Sequence, residues 1–588
     1  MPNVQSVPQQ PPTEAFYVLA SAAAALSFFL YSLYQYLLPK PIPGIPYNAE
    51  ATKNLLGDIP RLQKEADTNI TAWLINQTRK HQSPIFQVFM EPFRKPAVFI
   101  NDFRESQDIL MRRKEFDRSD YTIALLSGTS PQFHINLKTG PEWKAHRRLL
   151  QDLMTPKFLH GVAAPNIYKS ATRLLDLWKT KARIAGGKPF KADDDVFYTA
   201  LDAVFDFGFG DAVEQRALIP QVKSLECGDE EELRRRHVNA EGTGIDFPVV
   251  PIYPSFQAFL DSVESIGPVA VSGFPALAWR LIGLKPSVRR YRALITSFLK
   301  DQVMKAVDRY KSEGGSDTDD YVLSAIDLMV QREGTFAKKE GREPVFWSST
   351  MRDEAIGFII AGHDTTSTTL CWGIKYLADN PEIQTKLREI LRNVHPSAVS
   401  EGRSPTHAEI VQASIPYLDA AVEEILRLGH TIISQDRQCN EDTIVLGHHI
   451  PKGTNVIFAN RGASFTEPAF DIPEARRSAS CQTAGKERGM RAWDSDGMDE
   501  FRPERWLVAR ENGDEAFDST AGPTIPFGLG LRGCFGRRLA YMEMKLILTL
   551  LVWTFEFLPC PEGLSSYDDI EGLTRKPRQC YVNLKVIS

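Results

Sequence analysis

One cysteine stands where a cysteine can do chemistry. The run Pro526-Phe527-Gly528-Leu529-Gly530-Leu531-Arg532-Gly533-Cys534-Phe535-Gly536 sets Cys534 among four glycines. Arg537-Arg538-Leu539-Ala540-Tyr541-Met542-Glu543-Met544 follows as a helical pattern. Cys534 therefore sits at or just before a helix N-terminus, where free N–H groups and partial positive charge stabilise a thiolate. Glycines let the backbone approach a flat ligand closely and take left-handed conformations. A thiolate that receives backbone hydrogen bonds is a good axial ligand for haem iron. The competing reading, a buried structural cysteine in a glycine turn, is disfavoured by the spacing Phe527-x-x-Gly530-x-Arg532-x-Cys534-x-Gly536.

A second constellation is Ala361-Gly362-His363-Asp364-Thr365-Thr366, inside the apolar segment Ala355–Leu370. Gly and runs of Thr and Ser are poor helix formers, and their hydroxyls compete for backbone carbonyls. A local opening beside an acid and an alcohol would hold water and suit proton delivery. The bland alternative is a packing groove with ordinary Ser/Thr back-bonding. Gly140-Pro141-Glu142-Trp143-Lys144-Ala145-His146-Arg147-Arg148 starts a helix with an early Pro, and Trp143 and Arg147 share one face at i,i+4. Glu424-Ile425-Leu426-Arg427 places an acid and a base three apart, after the apolar Tyr417–Val422. The pair belongs to a buried helix and needs further partners.

These motifs, in this order, resemble the cytochrome P450 family of haem-thiolate monooxygenases, from the N-terminal segment to the C-terminus. The resemblance implies a mainly α fold with a minor β portion, one large haem domain behind a single transmembrane helix. It implies haem b with an axial thiolate from Cys534. Trp143, Arg147, Arg532 and Arg437 match propionate-contacting positions; a loop charge is the alternative for Arg437. Asp364 and Thr365 match the proton-delivery acid and alcohol. Phe501-Arg502-Pro503-Glu504-Arg505-Trp506 resembles the family's Pro-Glu-Arg-Phe segment with Trp506 in place of Phe, so Arg505 is expected to join Glu424 and Arg427 in a structural triad. Ile450-Pro451-Lys452-Gly453-Thr454 supports the register. After Leu428 the family often has proline; here Gly429-His430-Thr431-Ile432 follows, and the path of that loop is open.

The implied activity is insertion of one oxygen atom from O2 into a lipophilic small molecule, by hydroxylation or epoxidation. Electrons would come from NADPH through a separate flavoprotein reductase, since no GxGxxG follows a strand. Lys144, Arg148, Arg537, Arg538 and Lys545 offer that partner positive charge, unless they form a generic solvated face. Residues 119–135, 245–275, 355–366, 429–435 and 565–575 are expected to line the distal cavity. The overall style resembles filamentous-fungal members that decorate terpenoids, polyketides or alkaloids. Two alternatives remain at this stage: a haem-dependent isomerase or dehydratase needing no external electrons, and a non-catalytic haem sensor. Asp364-Thr365 argues against both.

The rest of the chain must position these residues. The 588 residues are 43% hydrophobic and 24% charged with a net charge of −5. That excludes wholesale disorder and disfavours a nucleic-acid-binding protein. Seven cysteines without a CxxC pair exclude a zinc ribbon and fit a reducing compartment. Residues 1–14 form a short flank. Residues 15–38 carry no charge and make about 36 Å of helix at ~1.5 Å per residue, enough for a ~30 Å bilayer core. The flank lacks Lys and Arg whereas Lys40, Lys53, Arg61 and Lys64 follow, so the anchor is uncleaved and the body cytosolic, at the endoplasmic reticulum. Asn69 and Asn76 then stay unglycosylated despite matching the acceptor pattern. Residues 39–46 hold four prolines and read as a stiff, extended linker.

Residues 47–588 read as the haem domain. Helical periodicity is clearest over 143–159, 288–311, 350–379, 382–394, 417–428 and 536–556. Strands are expected at Ala97–Ile100, Thr443–Leu446, Asn455–Ala459 and Tyr581–Val586. The polar stretches 312–347 and 462–500 read as surface loops or insertions. The apolar stretch Phe247–Leu284 could dip into the membrane and admit lipophilic ligands.

Overall fold

Apolar residues at helical spacing need a partner surface, and in this protein the partners are other helices. The computed structural model describes residues 14–587 apart from 67–68, 211–212, 227, 315–321, 489–494 and 512. One core joins the helices Ala164–Ala185, Asp193–Phe209, Ser349–Asp379, Pro416–Gly429 and Arg537–Thr554. A second core surrounds a five-stranded sheet. Its order is Ile85–Val88, Ala97–Ile100, Asn455–Ala459, Ser434–Cys439, Phe116–Asp117, with Ala97–Ile100 parallel to Asn455–Ala459 and the other pairs antiparallel. The architecture is mainly α with a minor β portion.

Most expected elements form within a residue or two: Pro286–Ser312, Ser349–Asp379, Pro381–Val394, Pro416–Gly429 and Arg537–Thr554. The expected helix over 143–159 does not. It stops at Leu150, then passes through tighter and wider turns into Ala164–Ala185. Pro156 ends the run at Met154, because it holds Thr155 extended (φ −79°, ψ 149°). Ala164–Ala185 and Asp193–Phe209 escaped the periodicity reading. Asp193–Phe209 buries nearly every residue, including acids that are internally satisfied: Asp195 by Lys181 (2.7 and 2.8 Å) and Trp178 (2.9 Å), Asp202 by the amides of Ala217 and Leu218.

Both polar stretches contain ordered structure. Residues 312–347 include a largely buried helix, Ala325–Glu340, capped by the Ser324 hydroxyl. Residues 462–500 include the helix Ala479–Arg488, and the segment is docked on the helix Phe103–Arg112. Arg477 grips Asp102 with two bonds (2.7 and 3.1 Å), Arg104 grips Glu474 (2.9 Å twice), and Ser478 and Ser480 both donate to Asp108 (2.6 Å). The Gly489-Met490-Arg491 run lies outside the described residues.

The same interface buries Glu105, whose carboxyl oxygens have no hydrogen-bond partner and whose nearest cation, Arg113, is 3.5 Å away. Burial pushes its pKa from 4.5 up to about 7, against the pull of Arg113. The folded state then holds an extra proton between those values, so stability falls as pH rises through that window. Glu105→Gln is expected to raise stability at pH 8 by about 3 kcal/mol, and by nothing near pH 4.5. Thermal melts at the two pH values check this.

The N-terminal helix Glu14–Leu37 contains the apolar span Phe16–Leu37, mean hydropathy 1.8, none of it buried in the protein. One such helix fits a single-pass anchor. The proline-rich segment behind it is pinned on the sheet. Buried Gln87 bonds the backbone of Ile42 (2.7 and 2.9 Å) and Ile45 (2.8 Å). In the 247–284 stretch, the short helices Pro254–Glu264 and Pro275–Ile282 flank exposed Val271 and Phe274, and Leu277, Leu281 and Leu284 are exposed beside them. Exposed Phe93, from the turn between the first two strands, meets Phe274 with ring centres 6.5 Å apart.

Candidate active site

The cysteine loop is built by close approach. The Gly530 α-carbon faces the backbone of Leu110 so tightly that a Cβ would lie 2.4 Å from its carbonyl oxygen, and φ is +67°. The Cys534 amide donates to the Phe527 carbonyl (2.7 Å). Cys534 is exposed as a residue, while protein atoms around its sulfur desolvate the thiol. The surrounding protein raises its pKa, while the Gly536 N–H, Arg147 and Arg537 pull it back down. The helix Arg537–Thr554 begins just after Cys534, as the sequence pattern predicts.

Beside the loop, guanidinium groups from distant segments converge. Arg147 lies over Trp143 (5.4 Å) and Phe535 (4.7 Å), and Arg532 lies over Trp143 (4.9 Å). Arg437 is not a loop charge: it sits in the strand Ser434–Cys439 and is buried. Desolvation and the repulsion of Arg118 lower it to about 10. Arg532 is lowered to about 9 by desolvation first, then by Arg118, Arg437 and Arg147. Arg118 was missed in the sequence. Its only signal is its place after the short strand Phe116–Asp117. Buried donors remain unpartnered on Arg118 (Nε) and Arg532 (Nη1).

Asp117 and Asp436 offset part of the charge of Arg118, Arg437 and Arg532. The excess buried positive charge is costly unless a further anion joins it, and guanidinium groups are shaped for carboxylates. The cluster therefore fits the two propionates of haem beside a ligating thiol.

A buried clamp holds this side to the long helix Ser349–Asp379. Glu354 accepts from the ring nitrogens of His134 and His146 (2.8 Å each) and from the His134 amide (2.8 Å). These bonds hold its carboxyl below the usual range against desolvation. The Phe133 ring occupies the space a Cβ on Gly357 would need.

Further along that helix the Thr365 hydroxyl donates to the Ala361 carbonyl (2.8 Å), and Ser367 and Thr369 bond back in the same way. The helix runs unbroken from Ser349 to Asp379. The expected local opening is absent, because each hydroxyl completes an i−4 bond without displacing the backbone. Asp364 is buried and turned toward the C-terminal hairpin (strands Asp569–Glu571 and Arg575–Pro577). There it accepts from Thr574 (2.8 Å) and pairs with Lys576 (2.7 Å). The helix Pro416–Gly429 ends on His430 in the left-handed region (φ 43°), and Thr431 then meets Thr369 (2.7 Å).

The triad forms with an added member. Arg427 makes two bonds to Glu424 (2.7 and 2.8 Å), and Arg505 stands 3.9 Å from it. The Trp506 indole donates to Glu424 (2.8 Å), which is what Trp supplies and Phe would not. Of the expected positive face, Lys545 is engaged with Asp419 (2.8 Å), while Lys144, Arg148, Arg537 and Arg538 are exposed.

A thiol-bearing glycine loop beside a cationic cradle, in a mainly α frame, is an arrangement that can hold a haem through a thiolate. The sequence profile of the cytochrome P450 family matches residues 53–475 and 498–584. A cytochrome P450 monooxygenase of Fusarium sporotrichioides, TRI13, is 42% identical over 574 residues, 94% of this chain and 97% of its own. Similar enzymes come from Pestalotiopsis microspora (GME11363, 37% identical, 96% of this chain and 97% of its own) and Penicillium rubens (xilC, 36%, 95% and 94%). The chain belongs to the cytochrome P450 family and is an oxygen-incorporating oxidoreductase with a haem-thiolate cofactor. The family profile leaves residues 476–497 unmatched, within the segment docked on Phe103–Arg112.

Proposed function

We propose that this monooxygenase inserts one oxygen atom from O2 into a lipophilic secondary metabolite of terpenoid, polyketide or alkaloid type, by hydroxylation or epoxidation. The observation that carries the site assignment is the set of guanidinium groups with unpartnered donors beside the Cys534 loop. In this reading Cys534 would ligate the haem iron through its thiolate, and Trp143, Arg147, Arg437, Arg532 and Arg118 would hold the propionates. The haem supplies O2 binding and the electron push from its thiolate that favours O–O cleavage. The chain's own residues do the rest. Glycines 528 and 530 shape the loop, the Gly536 N–H stabilises the thiolate, and the cationic cradle would hold the cofactor's carboxylates. Asp364 and Thr365 hold and pass protons at a carboxylate and a hydroxyl.

Residues 15–38 anchor residues 47–588 to the cytosolic face of the endoplasmic reticulum. The exposed Phe93, Phe274, Leu277 and Leu281 rest on the lipid, where apolar substrates concentrate. An NADPH-dependent flavoprotein reductase meets Lys144, Arg148, Arg537 and Arg538. The named relatives support the reading by being fungal monooxygenases.

The test is turnover of lipophilic fungal metabolites by membranes holding this chain and a reductase. Thr365→Ala is expected to divert at least about half of the NADPH from product to peroxide, because a general acid–base relay contributes ~10²–10⁴-fold. Unchanged coupling in that variant removes Thr365 from the relay. If none of the three metabolite classes is oxidised, the substrate assignment fails.

A further inference from the structure

We propose that Lys576 is the positioning residue for Asp364: its ammonium holds the buried carboxylate in place and is where that acid meets bulk water. The inference rests on the reading of Asp364 as the proton-delivering acid.

The geometry is specific. The Asp364 side chain is 2% exposed, and both oxygens are engaged, Oδ1 by Lys576 Nζ (2.7 Å) and Oδ2 by the Thr574 hydroxyl (2.8 Å). A carboxyl group buried in that setting needs its partner and its hydrogen bonds to be tolerated. Nothing on its own helix supplies the charge. His363 is buried with Nδ1 against the Ile359 carbonyl (2.9 Å) and Nε2 unpartnered, and burial lowers its pKa. Lys576, by contrast, is 37% exposed, and its ammonium lies 4.3 Å from the centre of the Phe197 ring. One end of the ion pair is wet and the other is inside the helix packing.

The mount is rigid. The Arg575 amide bonds the Thr431 carbonyl (2.9 Å), Arg575 Nη1 bonds the Gly429 carbonyl (2.9 Å), and Glu571 accepts from the Thr71 amide (2.9 Å). The Thr574 hydroxyl also meets Thr368 (3.2 Å), one turn beyond Asp364. Lys576 thus sits on a hairpin fixed to three other segments, not on a mobile tip.

The step balances simply. An ammonium N–H proton moves to the carboxylate, and the neutral amine takes a proton from a bulk water, which leaves as hydroxide. No electron moves, and the net change is one water-borne proton on Asp364. The titratable groups that share this field are His363, which faces both Asp364 and Lys576, and Cys371 on the same helix, itself paired with Cys580 and near Asp193.

The test uses the full chain with its reductase, both pre-reduced and mixed with oxygenated buffer without added substrate, in H2O and D2O. The rate of return to the oxidised Soret spectrum is read between pH 6.5 and 8.5. Lys576→Met is expected to slow that return about tenfold, a share of the ~10²–10⁴-fold that positioned proton transfer contributes, and to enlarge the solvent isotope effect. Lys576→Arg restores most of the rate. In Asp364→Asn, adding Lys576→Met changes nothing further.

Thermal melts supply the second readout. Lys576→Met lowers the melting temperature more at pH 8 than at pH 5.5, since acid neutralises the stranded carboxylate, and the difference disappears with Asp364→Asn. A Lys576→Met protein with the rate, pH profile and isotope effect of the parent, while Asp364→Asn is slow, overturns the proposal and leaves the Asp364 reading standing. An unimpaired Asp364→Asn overturns both. A melting loss independent of pH and of Asp364 overturns the ion-pair role.

Discussion

Cys534→Ser is expected to abolish the strongly red-shifted Soret band of the reduced, carbon monoxide-bound protein and to lower turnover by about a thousandfold or more. A serine hydroxyl has no accessible anion at neutral pH, so the strong anionic donor to iron is lost. The loop itself is kept. Its shape rests on the Cys534 amide to Phe527 carbonyl bond and on Gly528 and Gly530, none of which involves sulfur. The loss is therefore chemical rather than conformational, and near-parental melting should accompany it. A difference spectrum of membranes expressing the variant decides the matter. A retained thiolate-type band would place the iron ligand elsewhere.

Arg427→Met is the second large effect. Arg427 and Glu424 are fully buried and joined by two bonds. Arg427 also donates to the carbonyls of Phe465 (2.9 Å) and Met498 (2.7 Å). Removing one partner of a buried pair costs about 3–5 kcal/mol, because the remaining charge is stranded. A marginal stability of ~5–15 kcal/mol leaves little after that. The expected outcome is a severe loss of haem-loaded protein in membranes at 37 °C, read from the same difference spectrum. Arg427→Lys should rescue poorly, since an ammonium cannot match the two-bond geometry. Parental yield of Arg427→Met would mean that Trp506 and the Arg502 amide, which also bond Glu424, satisfy it alone.

Legibility in the sequence followed the range of the interaction. Pro416–Gly429 and Arg537–Thr554 were readable because one face is apolar at helical spacing. Asp193–Phe209 was not, since it is buried all round and its acids interrupt the apolar pattern. The 462–500 stretch was read as polar and exposed. Its charges instead pair across the chain, Arg477 with Asp102 and Arg104 with Glu474. Composition reports a charge and says nothing of its partner.

The amino-acid sequence by itself determined the family, the cysteine loop, the single apolar N-terminal helix and the mainly helical architecture. Each of these is written in local spacing that needs no distant partner to be read. Only the tertiary structure decided that Arg437 is a buried strand residue, that Arg118 completes the cationic cradle, and that Asp364 answers to Lys576. Those facts are pairings between segments hundreds of residues apart. Burial and facing charge set the protonation of such groups, and both exist only after the chain has folded.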